Sequence, residues 1–337
     1  MRQRVSYRFF KDAYEETCEI PVEQIRTFRG KRIYAMDGFE LNLPRTEDVL
    51  NHHYQGRWVG QHRQQYYPTM YTVQCFDVLS EVSKNIRFSP AQGELGLAEP
   101  MVATLEAGSV CLYDRLYPCA RMMKAHKKAQ NHFIFRLKVN SFKAATRLLG
   151  LKIHRKKMII EDVTVYFIKV KNPKTGKYDL FATDLPRYWV DSHTIRSLYN
   201  LRWEVETSFL DLAKTFQIEQ WHSKSLNGIL QELYATLWLY NYTKTLILKT
   251  GQILKDPLNW DYEKPNFKFI LDWVIRKLSR IFKKAFDPEP ILQRLVIRST
   301  ERRQRHSRPE PRQTRYPASP YPSNNTVWFL EGSYHFN

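Results

Sequence analysis

The sequence is short of the features that mark secreted and membrane proteins. Its four cysteines, Cys18, Cys75, Cys111 and Cys119, are scattered. Their spacing fits neither a disulfide framework nor a zinc-ligand pattern, and two of them lie inside apolar runs that read as buried strand. The opening MRQRVSYRFF carries basic residues but no apolar stretch ahead of a cleavage site, and no run approaches the length of a membrane span. The expected compartment is the cytoplasm, with no membrane partner. No internal repeat is evident. Acids are also in deficit: 34 Asp and Glu face 53 Lys and Arg, a net charge of +19. An excess of that size points to a polyanionic partner, and an aromatic content of 14%, interleaved with the basic residues, suits phosphate contacts alongside base stacking. Core material is plentiful. At 337 residues and 43% hydrophobic, the chain can bury one large core or two smaller ones.

Periodicity sets out the elements. VSYRFFKDAYEETCEIPVEQIRTF reads as short helical pieces and RGKRIYAMDGFELNLP as a strand, in which Ile33, Ala35, Phe39, Leu41 and Leu43 share one face with Asp37. A carboxylate on such a face is costly unless it is paired or bound to a metal. A basic, aromatic loop containing His52, His53 and His62 follows. Strands are expected at MYTVQCFDVLS and NIRFSP, a glycine-closed helix at EPMVATLEAG, a buried strand SVCLYDRLY ending at Asp114, a helix CARMMKAHKKAQ and a strand HFIFRLKVN. Residues 141–189 read as a β-rich insertion turning at KNPKTGK. The stretch YNLRWEVETSFLDLAK, residues 199–214, reads as part of one helix capped by Asp191 or Ser192. A long apolar helix over about residues 230–250 and a basic amphipathic helix ILDWVIRKLSRIFKKAF come next. From residue 301 the chain becomes an arginine- and proline-rich arm without an evident core of its own.

This order is that of an α/β, ribonuclease-H-like mixed sheet flanked by helices. The acids fall where such a core would use them, with Asp37 in the first strand, Asp114 after the fourth and Glu206 on the late helix. Two Mg²⁺ ions about 3.5–4 Å apart activate an attacking oxygen and neutralise a leaving one in phosphoryl transfer. Mg²⁺ asks for hard oxygen ligands and few carboxylates. On the late helix, at about 100° per residue, Tyr199, Arg202 and Glu206 lie at roughly 0°, 300° and 340°, one stripe, whereas Glu204 at about 140° points away and is expected to be exposed or paired. A plain i, i+4 pair between Arg202 and Glu206 is the competing structural reading.

These residues resemble the DDE transposases of insertion sequences, in particular the group whose catalytic helix carries Tyr-x2-Arg-x3-Glu-x6-Lys. YNLRWEVE matches through Tyr199, Arg202 and Glu206, while AMDGFELNLP, LYDRLYPCARMM, HFIFRLK, FATDLP and RRQRHSRPEPRQTRYP resemble the family's other segments. The resemblance implies that Asp37, Asp114 and Glu206 are catalytic and bind Mg²⁺ or Mn²⁺, and that Tyr199 and Arg202 touch DNA phosphate. It implies hydrolytic nicking of the element's ends followed by strand transfer into target DNA, by a protein that is nucleoid-associated through DNA and homodimeric in its DNA complex. Within this scheme residues 1–29 are a remnant of an N-terminal helical region. Residues 30–140 and 190–250 make the ribonuclease-H-like core around the 141–189 insertion, with a basic helical region at 251–300 and the arm and tail at 301–337.

Three departures accompany the resemblance. The signature lysine stands one position late, with Ala213 in its place and Lys214 after it. Leu116 replaces a small residue two after Asp114, and the helical region ahead of the first strand is short. Ala213 and the short N-terminal region support an alternative, a catalytically impaired or truncated transposase acting as a DNA-binding relic or inhibitor. A third reading is a ribonuclease-H-like nuclease without strand transfer. Zinc binding by the three histidines is disfavoured for want of Cys or acidic partners. Trp203 and Trp221 are expected in the core rather than stacked on a displaced base.

Overall fold

The computed structural model describes residues 5–59, 63–172, 176–251, 263–302, 326–330 and 333–335. A first helix, α1 (Tyr7–Cys18), leads to β1 (Ile33–Asn42), α2 (Glu47–Asn51) and the short strands β2 (Trp58–Val59) and β3 (Arg63–Gln65). Then come β4 (Thr69–Asp77), β5 (Val82–Ser89), α3 (Glu94–Val102), β6 (Val110–Tyr113), α4 (Ala120–Lys128) and β7 (His132–Leu137). The insertion contributes α5 (Lys143–Leu149), β8 (Arg155–Ile160), β9 (Val163–Lys171) and β10 (Tyr178–Thr183). Beyond it lie α6 (Ser192–Asn200), α7 (Trp203–Leu210), a π turn over Asp211–Thr215 and α8 (Leu226–Lys249). The last segments are β11 (Glu263–Pro265), α9 (Phe267–Phe282), α10 (Glu289–Ser299), β12 (Thr300–Arg302), β13 (Thr326–Leu330) and β14 (Ser333–His335).

Eight strands form one mixed sheet in the order β5-β4-β1-β6-β7-β10-β9-β8. The first five have the ribonuclease-H-like arrangement: β1, β4 and β5 form an antiparallel meander, and β6 and β7 run parallel to β1. The insertion strands extend the same sheet, because β10 pairs antiparallel with β7 and is followed outward by β9 and β8. The insertion also holds the helix α5, which alternation within its strands gave no sign of.

Burial follows the period of two on both faces of the central strands. Ile33, Ala35, Leu112, Ile134 and Phe181 face a core closed by Leu198, Val205, Leu233 and Leu237 of α6, α7 and α8. Tyr34, Met36, Cys111, Tyr113, Phe133 and Phe135 face a second core closed by Leu97, Met101, Met122 and Leu148 of α3, α4 and α5. Cys75 and Cys111 are free and buried in that second core, and burial raises the Cys111 thiol to about 12. In β1 the double burial ends at Met36, so Asp37 is the first residue of the strand to reach toward solvent.

Two local expectations change. The helix α3 begins at Glu94, well before EPMVATLEAG, and carries Pro100 in its last turns. Gly108 does not close it but shapes the turn into β6 with φ +78. The N-terminal stretch forms two helical pieces as expected, α1 and a 3₁₀ turn at Val22–Gln24, and α1 docks on α8 through the Tyr7 N–H, which donates to the Asn227 side chain at 2.9 Å. At the other end α9 buries Phe267, Ile270, Leu271 and Val274, an amphipathic helix as its sequence indicates. Residues 303–325, most of the expected arm, lie outside the described residues, as does His62. Among the described residues, no helix is long and apolar enough to cross a membrane.

The entry to β1 is fixed by charge. Arg32 sits between Asp77, at 2.9 Å, and Glu106, at 2.8 Å, and Asp77 is fully buried. Removing one partner of a buried pair leaves a charge without compensation, at about 3–5 kcal/mol. The backbone N–H groups of Leu79 and Ser80 also serve Asp77, so Arg32→Met is expected to cost about 3 kcal/mol in urea unfolding; a change below about 1 kcal/mol would show that those N–H groups suffice.

Candidate active site

Asp37 and the Glu206 helix are brought together by packing around Gln74, which pairs with Asp37 across β4 and β1. Buried Ser208 donates to the Gln74 side chain at 3.0 Å, and the rings of Phe39 and Phe209 meet at 4.3 Å. These contacts seat α7 on the strand that carries Asp37. Between the two acids lies Arg202. Its Nη1 donates to Asp37 at 2.6 Å and its Nη2 to Glu206 at 2.7 Å. The guanidinium is almost wholly buried, stacks over Trp203 at 4.9 Å, and leaves its Nε without a hydrogen-bond partner. The i, i+4 pair considered above is therefore present, but as half of a bridge between distant segments.

The helix is not the single rod that constant periodicity implies. Asp191 caps α6 through the N–H groups of His193 and Thr194. Hydrogen bonds then tighten to the i→i−3 type from Leu201 to Val205, at the residue whose side chain is drawn across to Asp37. Below Glu206 the spacing loosens instead, and Phe216 N–H bonds to Asp211 O across the π turn. A π turn holds one residue more than an α turn. On a uniform α-helix Lys214 would lie about 80° from Glu206; the extra residue swings it back toward the stripe. Lys214 and Ala213 are both exposed.

The other expected residues are placed as follows. Asp114 lies just past β6, where its Oδ1 accepts from the Leu116 N–H at 2.7 Å. Leu116 is exposed, so its bulk does not obstruct that turn. Tyr199 is buried at 4% exposure, edge-on to Phe181 at 5.3 Å and flanked by Arg136 and Arg202. Glu204 is buried and paired with Lys264 at 3.1 Å, and Lys264 also reaches Glu81. Of the two states expected for Glu204, exposed or paired, the structure shows the paired one, with a partner on β11 that its own helix could not announce. Trp203 is half exposed rather than in the core, whereas Trp221 is partly buried and donates to Asn42 O at 2.7 Å. Glu94 escaped notice in the sequence: it lies against Gly38 and accepts from Tyr117. The glycine directly after the strand aspartate was the available signal.

Burial pushes the Asp37 carboxyl up to about 6, with Asp114 and Glu206 adding to the rise and Arg202 and the Gly38 N–H opposing it. For Arg202, burial acts downward, but Tyr199, Asp37 and Glu206 hold its pKa above the ordinary value. Burial likewise raises Tyr199 and Glu94, and Asp114 adds to both. Because Asp37 is raised from its ordinary value of 3.8 to about 6, the native state binds more protons than the unfolded chain across that window. Its contribution is present at low pH and is lost as pH rises through about 6. Asp37→Asn is expected to remove about 2–3 kcal/mol of this fall, seen as a difference in urea stability between pH 4.5 and 7 in chelator; equal slopes for mutant and parent would contradict the buried placement.

Residues 28–242 match the family model described as the Transposase DDE domain. The chain belongs to that family. Among solved structures, the piggyBac transposase in a synaptic complex with hairpin DNA is similar at a TM-score of 0.45 and 11% identity, over 82% of this chain and 59% of that one. The present chain therefore spans less than two thirds of that transposase's length. No curated protein matches the chain. DDE transposases typically use divalent metal, and the donors of this transposase domain suit one: they are carboxylates, hard and anionic, and two of them already share a buried cation in the Arg202 guanidinium. As the side chains stand, no three His, Cys, Asp or Glu among the described residues are gathered closely enough to hold an ion, and Arg202 fills the space between Asp37 and Glu206.

Proposed function

We propose that this transposase domain is a metal-dependent enzyme of insertion-sequence type, which nicks the ends of its own element and joins them to target DNA. The observation that carries the reading is the meeting of Asp37 and Glu206, 165 and 4 residues from Arg202, on one buried guanidinium. Asp37, Asp114 and Glu206 would hold Mg²⁺ or Mn²⁺, which when bound would neutralise charge on the attacking and leaving oxygens of an in-line displacement. Without an ion, Arg202 supplies the positive charge between Asp37 and Glu206. Released from one carboxylate, its planar fork suits two phosphate oxygens. Tyr199 orients Arg202 from the core side. The net charge of +19 supplies the long-range attraction for DNA. Two ends must be held at once, which favours a homodimer on DNA.

The test is incubation of the purified chain, with Mg²⁺ or Mn²⁺, on duplex carrying the DNA that borders its own coding region. Nicks at those borders and covalent joining to a second DNA are expected. Salt-sensitive binding without cleavage under either metal would overturn the reading in favour of the DNA-binding relic.

Lys214 gives a second check. If the π turn aligns it with phosphate, Lys214→Ala weakens DNA binding and lowers the salt slope by about 1. Deleting Ala213 removes the extra residue, returns the lysine to the seventh position after Glu206, and is expected to keep both. Equal losses for the two variants would show that the turn does not serve the lysine.

A further inference from the structure

We propose that Glu94 is a fourth carboxylate of the candidate centre, one that holds the Asp114 turn against the Asp37 strand and adds its charge to the field drawing the divalent ion. This rests on the reading of Asp37, Asp114 and Glu206 as that centre.

The first observation is spatial. A Cβ at Gly38 would stand 2.3 Å from Glu94 Cδ and 2.7 Å from its Oε1. Gly38 has no positive φ, so the backbone does not require glycine there. The space does: the Glu94 carboxyl fills the volume that a side chain next to Asp37 would need. The second observation links Glu94 to the other aspartate. Tyr117, fully buried and three residues after Asp114, donates its hydroxyl to Glu94 Oε2 at 3.1 Å. One carboxyl therefore touches the segment after each aspartate. Glu94 is also the first residue of α3, where the helix dipole favours a negative charge. Groups that orient metal ligands from just outside them commonly alter affinity by about 10–100-fold.

Glu94 acts as a positioning residue, so its test separates charge from shape. Glu94→Gln keeps an oxygen for Tyr117 and loses the charge; Gly38→Ala keeps the charge and pushes the flexible carboxyl aside. Mn²⁺ binding to the full chain is read from the electron paramagnetic resonance of the free ion, with thermal unfolding in chelator as the folding control. Both variants are expected to unfold near the parent's temperature and to bind Mn²⁺ about 10-fold more weakly. Asp37→Asn is the comparator. If it weakens Mn²⁺ binding while Glu94→Gln and Gly38→Ala do not, the inference fails and the centre stands. If none of the three changes Mn²⁺ binding, the assignment of the centre fails as well.

Discussion

Asp37→Asn is expected to reduce metal-supported strand cleavage by about 10³-fold or more while leaving the fold and DNA binding in place. A bound metal contributes several kcal/mol of transition-state charge stabilisation, and each 1.36 kcal/mol is about tenfold in rate. Asp37 stands at the end of the doubly buried part of β1, with its carboxylate held by Arg202 at 2.6 Å. DNA affinity should survive, since it comes from basic residues and counterion release. Gel-resolved cleavage at matched DNA occupancy measures both quantities. Parent-like cleavage by the variant would remove Asp37 from the chemistry.

The second large effect is expected at Arg202. In Arg202→Ala, Asp37 and Glu206 face each other without the cation that both contact at 2.6 and 2.7 Å. Breaking a buried pair costs about 3–5 kcal/mol, but Glu206 is 38% exposed and solvent screens its share, so about 2–3 kcal/mol is expected in chelator. Mg²⁺ should restore much of that loss by binding the native state, and more for the variant than for the parent. Cleavage should nevertheless fall by about 10²–10³-fold, the usual cost of removing one donor from a developing anion. Arg202→Lys keeps the charge without the fork and is expected in between. Urea midpoints with and without Mg²⁺ decide the first point: a loss that Mg²⁺ does not reduce would show that Arg202 and the metal do not compete for the same carboxylates.

The sequence made the sheet legible because its central strands are short apolar runs buried on both faces and because Asp37 interrupts an otherwise apolar face. The order of strands and helices, and hence the ribonuclease-H-like arrangement, follows from those runs. Interactions that depend on distant partners were not legible. Glu204 reads as exposed or paired, and only the structure shows its partner, Lys264, 60 positions away. Trp203 looked like core because of its apolar neighbours, yet it is a half-exposed lid on a guanidinium. The late helix was misjudged for another reason. Counting 100° per residue assumes uniform winding, whereas this segment tightens at Leu201–Val205 and loosens at Asp211–Thr215. The displaced lysine was visible in the sequence, but the π turn over Asp211–Thr215 was not. Glu94 was hidden because a glycine records only that space is needed, not which side chain takes it.

The central claim is that Asp37, Asp114 and Glu206 serve one divalent ion site. It is tested most directly by replacing Mg²⁺ with Fe²⁺ and mapping where hydroxyl radicals generated at the bound iron cut the backbone. Cuts are expected only in the segments around residues 37, 114 and 206, suppressed by excess Mg²⁺ and absent in Asp37→Asn. Cuts that spare any one of those segments, or that persist in the variant, would contradict it.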